Sequence, residues 1–76
     1  MRFHDEMMHL CCPITLELMT DPVIAADGRT YERQEIEKWL KKSNTSPITN
    51  EPLPSTVLIP NQLVKSLIRE FEDKKR

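Results

Sequence analysis

Four residues near the start of the chain have side chains that could bind a soft metal ion. Cys11 and Cys12 are adjacent, and His4 and His9 both precede them. Structural zinc sites take four Cys or His ligands, with about two to four residues between the members of a pair. Adjacent cysteines fit that spacing poorly, and no Cys or His follows Cys12. The sequence therefore predicts a domain without metal or any other cofactor, and one clustered site made of these four residues is a minor alternative.

A cysteine could instead serve as a nucleophile that carries a thioester. Such a thiol needs a neighbouring histidine or cation to activate it. No histidine or basic residue lies close downstream of Cys12. We therefore interpret Cys12 as a small buried apolar residue and Cys11 as a partly exposed one.

Composition limits the classes of protein that need to be considered. With 76 residues, the chain can form one small domain whose core alone is only marginally stabilising. The formal charge of −1 provides no basic face for nucleic acid. No apolar run approaches the roughly 20 residues of a membrane span, and no signal peptide is evident. Cysteines without a recognisable disulfide pattern favour the cytosol or the nucleus.

The chain divides into a short lead-in and one domain. Residues 1–8 are polar and rich in methionine, and we expect them to be flexible. We find no repeat and no internal linker, so residues 9–76 should form a single domain. Six prolines between positions 13 and 60 exclude helix interiors from two long segments, which we expect to be loops.

The first of two predicted helices runs roughly from Glu32 to Lys42. Ile36, Trp39 and Leu40 have the spacing of a single apolar helix face. Thr30 is a candidate N-cap for this helix. Because Ile36 and Leu40 already occupy the centre of the face, Trp39 should lie at its edge and be half-buried.

A hairpin precedes this helix, and a second helix follows the second loop. The Asp27-Gly28 pair lies between two short β-prone segments, which is typical of a tight hairpin turn. Asn61 is a candidate N-cap for a C-terminal helix. The apolar stripe of that helix comprises Leu63, Val64, Leu67, Ile68 and Phe71. The predicted fold class is therefore α+β, with two long loops, a short hairpin, a central helix and a C-terminal helix.

Taken in order, these segments form a series of short motifs at consistent spacing. The motifs are Cys12-Pro13-Ile14-Thr15, Glu17-Leu18-Met19, Asp21-Pro22-Val23, Gly28, Thr30-Tyr31-Glu32-Arg33, Ile36, Trp39-Leu40, Ser46-Pro47-Ile48-Thr49, Leu53 and Leu58-Ile59-Pro60-Asn61. A single tripeptide would be weak evidence, whereas the ordered series is specific. Over about residues 9–72, it resembles the U-box family.

The resemblance implies a RING-like fold in which polar networks replace two zinc ions, and it implies ubiquitin ligase activity. Such a ligase binds a ubiquitin-conjugating enzyme charged with ubiquitin and promotes transfer of the ubiquitin to a lysine of a protein substrate. It needs no nucleophile of its own, because positioning and electrostatic preorganisation supply the catalysis. No covalent intermediate on this chain is expected.

The resemblance also implies which residues contact the conjugating enzyme. These are Ile14 and Leu16 on the first loop, Trp39 on the central helix and Pro47 on the second loop. From the sequence alone, Ile14 could equally be a core residue, and a tryptophan on an apolar helix face, such as Trp39, is more often core than a contact residue. Pro47 could simply form a turn. Leu16 and Leu18 alternate around a polar residue, so we predict that Leu16 is at the surface and Leu18 in the core.

Asn50 occupies a position that is basic in many active members of the family. There the cation bridges the conjugating enzyme and ubiquitin. An amide can still donate hydrogen bonds to both partners, but without charge assistance they should be weaker. We therefore expect a competent ligase of modest activity.

Six polar residues lie in or beside the loops that a RING domain ties with metal. As a hypothesis, several of them cross-link the two loops, although Asp21 could instead start a turn and Asn61 could serve only as a cap. The six are Glu17, Asp21, Asp27, Arg33, Ser46 and Asn61.

One rival function needs no catalysis. The apolar stripe from Leu63 to Phe71 exceeds what one small core demands, and it could support a protein-interaction module or a homodimer. The sequence indicates no nucleic-acid or membrane partner, and it contains no feature that identifies a substrate.

Overall fold

The computed structural model describes residues 9–74. The predicted lead-in, residues 1–8, lies outside the described residues. The described part contains a three-stranded sheet and two helices, which confirms the predicted α+β class. In chain order the elements are β1 (Pro22–Ile24), β2 (Thr30–Glu32), α1 (Arg33–Lys42), β3 (Ile59–Pro60) and α2 (Gln62–Lys74). Neither helix has the length and apolar composition needed to cross a bilayer.

The sheet is antiparallel, with β1 in the centre between β2 and β3. The β1–β2 pair is the predicted hairpin, and Val23 lies opposite Tyr31 in its centre. At the turn, Gly28 adopts a φ of 80° and its N–H donates to the carbonyl of Ala25 over 2.9 Å. Glycine reaches positive φ at little cost, so the Asp-Gly signal in the sequence was sufficient to predict this hairpin.

Helix α1 begins directly after β2, which leaves no room for the predicted N-cap. Glu32 is the N-cap residue, in an extended conformation and without a side-chain capping bond. The prediction that Thr30 caps the helix is wrong, because strand pairing continues through Glu32. The Thr30 hydroxyl instead accepts a hydrogen bond of 2.8 Å from Nδ2 of Asn61.

Helix α2 begins at the residue after Asn61, as predicted. Oδ1 of Asn61 accepts a hydrogen bond of 3.0 Å from the N–H of Val64, which is the usual N-cap geometry. The backbone N–H of Asn61 donates to the carbonyl of Pro22 over 2.9 Å. The cap residue therefore also attaches the start of α2 to the central strand.

The core lies between the hairpin, the inner face of α1 and one face of α2. Its fully buried side chains include Tyr31, Val23 and Ile36, and α2 adds Ile68 and Phe71. Cys12 and Met19 bring the two ends of the first loop into the same cluster. Residues that pack against the core while partly exposed are Leu18, Trp39, Leu40, Leu58 and Val64.

The two long loops contain the same short sequence motif. Residues 10–19 form what we call the first loop, and residues 44–53 form the second loop. The segment Cys12-Pro13-Ile14-Thr15-Leu16-Glu17 corresponds position by position to Ser46-Pro47-Ile48-Thr49-Asn50-Glu51. The interpretation that the chain contains no repeat is therefore wrong.

The backbone of the first loop closes through three hydrogen bonds. The N–H of Cys12 donates to the carbonyl of Glu17 over 2.9 Å, and the N–H of Leu16 donates to the carbonyl of Cys12 over 2.7 Å. At the base, the N–H of Met19 donates to the carbonyl of Leu10 over 3.0 Å. Leu16 has a φ of 63°, in the left-handed region.

The second loop repeats each of these bonds at the equivalent position. The N–H of Ser46 donates to the carbonyl of Glu51, and the N–H of Asn50 donates to the carbonyl of Ser46, both over 2.8 Å. Leu53 and Asn44 close the base, also at 2.8 Å. Asn50 has a φ of 63°, the value found at Leu16. The two loops therefore share one pattern of backbone hydrogen bonds, which closes each tip.

Candidate functional site

The tip of the first loop presents two apolar side chains to solvent. Ile14 is 36% exposed and Leu16 is 78% exposed. The predicted surface position of Leu16 is confirmed, whereas Leu18, predicted to be in the core, is partly buried and packs against the core from outside. Burial does not account for Leu16, because most of its side chain makes no contact with the domain.

The backbone of Leu16 is also unfavourable for its residue type. The left-handed region is disfavoured for residues other than Gly, Asn and Asp, at a cost of about 1 kcal/mol or somewhat more. Asn50 has the same φ, and asparagine tolerates it far better than leucine does. A strained, exposed leucine is a feature that stability alone would not retain, which makes Leu16 a candidate contact residue.

Trp39 connects α1 to the second loop. It is partly buried at the edge of the helix face, as predicted, and Nε1 donates a hydrogen bond of 2.6 Å to the carbonyl of Thr45. This bond holds the second loop immediately before its tip. Pro47, which follows Ser46, is partly buried.

The tip of the second loop exposes both polar and apolar side chains. Asn50 is exposed, so its amide is free to reach a bound partner. Ile48 is 45% exposed, and it lies at the position equivalent to Ile14. The sequence analysis did not select Ile48, although the repeated Pro-Ile-Thr motif could have identified it.

Asp27 is the centre of the contacts that hold the second loop against the hairpin. Its Oδ2 accepts two hydrogen bonds, from Oη of Tyr31 over 2.6 Å and from Oγ of Ser46 over 2.8 Å. Its Oδ1 accepts from the backbone N–H of Arg29 over 2.9 Å. Ser46 is 1% exposed, so this link is shielded from water at its loop end.

Ionisation of Asp27 is favoured by these contacts. Burial by itself would raise the pKa of the Asp27 carboxyl. Hydrogen bonds from Tyr31, the Arg29 backbone and Ser46, with the charge of Arg29, outweigh burial and lower the pKa. Burial and the hydrogen bond to Asp27 raise the pKa of Tyr31 well above its usual value, so the phenol remains a donor.

Ser46 connects Asp27 to the backbone of the second loop. While its hydroxyl donates to Asp27, its Oγ accepts from the N–H of Ile48 over 3.1 Å and from the N–H of Thr49 over 3.2 Å. One side chain therefore fixes both the base of the tip and the residues that the tip displays. The structure thus brings together Asp27, in the hairpin turn, and Ser46, in the second loop.

The first loop is tied by different groups. Sγ of Cys12 accepts a weak hydrogen bond of 3.3 Å from the N–H of Glu32. The Glu32 carboxylate accepts two hydrogen bonds from Thr20, one from the backbone N–H over 2.7 Å and one from Oγ1 over 3.1 Å. It accepts a third from the N–H of Asp21 over 3.1 Å. Sequence reasoning missed Glu32, because no local pattern indicates that a carboxylate binds a backbone segment far upstream.

The remaining predicted polar residues are distributed around the same region. Nε of Arg33 lies 2.8 Å from Oδ2 of Asp21, and the N–H of Arg33 donates to the carbonyl of Asp21 over 2.9 Å. Asn61 bonds to Thr30, as described above. Glu17 is exposed and takes part through its carbonyl.

These contacts satisfy the polar atoms of the region. Among residues 9–74, every buried side-chain nitrogen or oxygen has a hydrogen-bond partner. In the same part of the chain, no three side chains of the types His, Cys, Asp and Glu are grouped so that they could hold a metal ion. Cys12 is buried and Cys11 is partly exposed, in agreement with the sequence interpretation.

The fold and its tied loops define a small RING-like α+β domain. The model of one protein family, described as "U-box domain", matches residues 8–76 of the chain. The chain belongs to the U-box family, whose members are known as RING-like ubiquitin ligase modules.

Relatives in plants and animals support this assignment. U-box domain-containing protein 52 of Arabidopsis thaliana is 47% identical over 68 residues, which cover 90% of this chain and 8% of that protein. WD repeat, SAM and U-box domain-containing protein 1 of Homo sapiens is 56% identical over 61 residues, covering 79% of this chain and 13% of that protein. Its counterpart in Danio rerio is 59% identical over 58 residues, which cover 75% of this chain and 12% of that protein. The chain thus spans about a tenth of the length of these curated relatives.

Proposed function

We propose that this chain is a ubiquitin ligase module that binds a charged ubiquitin-conjugating enzyme and promotes transfer of ubiquitin to a substrate lysine. The observation that carries the proposal is the first-loop tip, where Leu16 is 78% exposed in a left-handed backbone. Ile14 beside it is also exposed. An apolar side chain on a rigid tip loses little entropy on binding, so it is an efficient anchor for a partner.

The proposed contact surface consists of Ile14, Leu16, Trp39 and Pro47. The hydrogen bond from Trp39 to Thr45 supports this proposal, because it fixes α1 and the second loop to each other. A ligase of this kind acts by holding the thioester in a reactive geometry, and rigid loops favour that task. Asn50 is proposed to bridge the conjugating enzyme and ubiquitin.

The test is single-turnover discharge of a precharged conjugating enzyme onto free lysine, run in the presence of a chelator. We expect the chain to accelerate discharge and Ile14→Ala to reduce that acceleration at least about tenfold, as expected for the loss of a central apolar contact. Val57→Ala is the matched control, because Val57 is 63% exposed and lies outside the proposed surface.

Folding must be checked in parallel. Ile14 is exposed, so Ile14→Ala should melt within a few degrees of the unmodified chain. If the chain accelerates discharge with none of several conjugating enzymes, the proposed activity is wrong. If Ile14→Ala retains full activity, the contact surface is wrong.

Asn50→Arg tests the bridging role separately. A guanidinium can form charge-assisted hydrogen bonds, which are roughly twice as strong as those of an amide. We expect faster discharge by Asn50→Arg, with little change in the affinity for the uncharged conjugating enzyme. Equal discharge rates would show that position 50 does not bridge the two partners.

A second candidate function rests on a different surface. Leu63 is 71% exposed and Leu67 is 43% exposed, one turn apart on α2. They favour a protein-interaction module, with self-association as its simplest form. Sedimentation velocity over a range of concentrations tests this: a shift toward a dimer that Leu63→Glu abolishes would support it, and a monomer at all concentrations would exclude self-association.

A further inference from the structure

We propose that Thr45 is a positioning residue for ubiquitin transfer, which together with Ser43 fixes the second loop to the end of α1. Its hydroxyl governs the rate of discharge much more than the affinity for the conjugating enzyme. This inference rests on the proposed ligase function, and it adds a residue that the proposed contact surface does not include.

The segment of residues 43–45 joins the last turn of α1 to the second loop. The N–H of Ser43 donates to the carbonyl of Trp39 over 3.0 Å. Oγ of Ser43 shares a hydrogen bond of 2.7 Å with Oγ1 of Thr45, and it accepts from the N–H of Thr45 over 3.3 Å. Nε1 of Trp39 donates to the carbonyl of Thr45 over 2.6 Å. The side chain, the N–H and the carbonyl of Thr45 are therefore all bonded to residues at the end of α1.

The residue after Thr45 is held by a different element. Oγ of Ser46 donates to Asp27, in the hairpin turn, over 2.8 Å. Two consecutive residues thus attach the second loop to α1 and to the hairpin. A segment attached at one point can turn about it, whereas two points of attachment fix its orientation. Weakening the bonds of Thr45 should therefore let the tip of the second loop turn about Ser46.

The first loop has no equivalent attachment. Cys11 occupies the position of Thr45, because Cys11 pairs with Leu18 in an isolated bridge just as Thr45 pairs with Pro52. Within residues 9–74, no side chain donates to the carbonyl of Cys11. The additional attachment is therefore specific to the loop that carries Asn50.

The difference between the two loops separates binding from transfer. Ile14 and Leu16, on the first loop, are proposed to anchor the conjugating enzyme, and the bonds of Thr45 do not involve that loop. Asn50, on the second loop, is proposed to bridge the enzyme and ubiquitin. A displacement of about 1 Å in a group that orients a reaction can lower its rate about a hundredfold. A second loop that is free to turn should therefore slow discharge while most of the affinity remains.

The experiment compares Thr45→Val with Thr45→Ser in the 76-residue chain. Valine removes the hydroxyl at nearly constant volume, whereas serine keeps it. Thr56→Val is the matched control, because Thr56 is exposed and lies between the second loop and β3. The discharge rate is measured at a saturating concentration of the chain, and the affinity for the uncharged conjugating enzyme is measured by titration calorimetry. We expect Thr45→Val to lower the rate about fivefold, the factor that corresponds to the net free energy of about one hydrogen bond, and to leave the affinity nearly unchanged. Thr45→Ser and Thr56→Val should both match the unmodified chain.

The indole N–H of Trp39 provides an independent readout by nuclear magnetic resonance, since Trp39 is the only tryptophan. Its proton resonance should move upfield in Thr45→Val, because the hydrogen bond to the Thr45 carbonyl weakens. The resonance should stay in place in Thr45→Ser.

Each outcome decides the inference. If Thr45→Val keeps the full discharge rate, or if the indole resonance does not move, the ligase function stands and the inference is wrong. If rate and affinity fall together, or if Thr45→Ser or Thr56→Val is equally slow, the hydroxyl has no separate role in transfer and the inference is also wrong. If the unmodified chain activates no conjugating enzyme, both fail. Should Thr45→Val melt early, Ser43→Ala removes the other hydroxyl of the pair and should give the same separation of rate from affinity.

Discussion

The first and second loops have the same backbone hydrogen bonds, but within their shared six-residue motif they differ at two equivalent positions. Cys12 in the first loop corresponds to Ser46 in the second, and Leu16 corresponds to Asn50. The thiol of Cys12 receives one weak hydrogen bond, whereas the hydroxyl of Ser46 takes part in three. The first loop is therefore held by apolar burial of its base and by the Glu32 carboxylate just beyond its end, whereas the second is held mainly by a polar centre on Asp27.

The other difference lies in the side chains that the two loop tips expose. Asn50 is well suited to its left-handed backbone, while Leu16 is poorly suited to the same conformation. One local structure thus exposes an apolar side chain on one loop and an amide on the other. The side chains that the two loops expose can therefore differ while their backbone hydrogen bonds stay the same. Substitutions in or beside either loop test this difference.

The largest expected effect is on the polar centre of the second loop. Asp27→Ala would leave the hydroxyls of Tyr31 and Ser46 without their acceptor. Unsatisfied buried groups cost about 1–3 kcal/mol each, so we expect a loss of about 3 kcal/mol, which corresponds to more than about 10 °C in Tm. Thermal unfolding followed by circular dichroism measures the change.

Asp73→Ala provides the control for Asp27→Ala. Asp73 is exposed near the end of α2, so its removal should leave Tm within a few degrees. If Asp27→Ala melted together with this control, the second loop would not depend on its polar centre.

A smaller effect is expected from pH. Because the pKa of Asp27 is lowered in the folded state, its contribution to stability is present above about pH 4, the usual value in unfolded chains. The contribution is lost as the pH falls through the lowered folded pKa. We therefore expect the difference in unfolding free energy between the unmodified chain and Asp27→Asn to shrink as the pH falls below about 4. Urea titrations at several pH values measure it, and a constant difference would contradict the proposed role of the charge.

Exchanging the two left-handed residues tests the difference in display. Leu16→Asn should raise stability by about 1 kcal/mol, because asparagine tolerates the left-handed backbone better, and should at the same time reduce discharge by removing an apolar anchor. Chemical denaturation and the discharge assay separate these two effects.

The reciprocal change, Asn50→Leu, should lower stability by a similar amount. Because both residues have a φ of 63°, the two substitutions should nearly cancel when combined. A stabilised Leu16→Asn variant with undiminished discharge would remove the functional explanation for the strained leucine.

The smallest expected effect concerns the ion pair beside the first loop. Arg33 and Asp21 are 35% and 47% exposed, so solvent screens their interaction. We expect Arg33→Ala to cost no more than about 1 kcal/mol, and to melt earlier than Arg69→Ala on the exposed face of α2. Equal melting temperatures would mean that this ion pair does not help to hold the first loop.

Local signals accounted for most of the fold. The Asp27-Gly28 turn and the cap at Asn61 were predictable, since each depends on residues only a few positions apart. The N-cap of α1 was not, because pairing of β2 with β1 moved the start of the helix and gave Thr30 a different partner. Helix propensity depends on residue type, so it gives no information on an effect of tertiary structure such as this strand pairing.

The candidate site was only partly predictable for the same reason. The residue types of Asp27 and Ser46 suggested a polar tie, but their pairing joins segments far apart in the chain. Glu32 was missed because its carboxylate serves Thr20 and Asp21, which belong to another segment.

The several bonds of Asn61 have a consequence for cooperativity. Its side chain caps α2 and donates to Thr30, and its backbone donates to Pro22, so α2 cannot leave the sheet without breaking the hairpin contacts as well. Helix and hairpin should consequently unfold in a single two-state transition. Far-ultraviolet ellipticity, which reports on the helices, and fluorescence of Trp39, the only tryptophan, should then give the same midpoint.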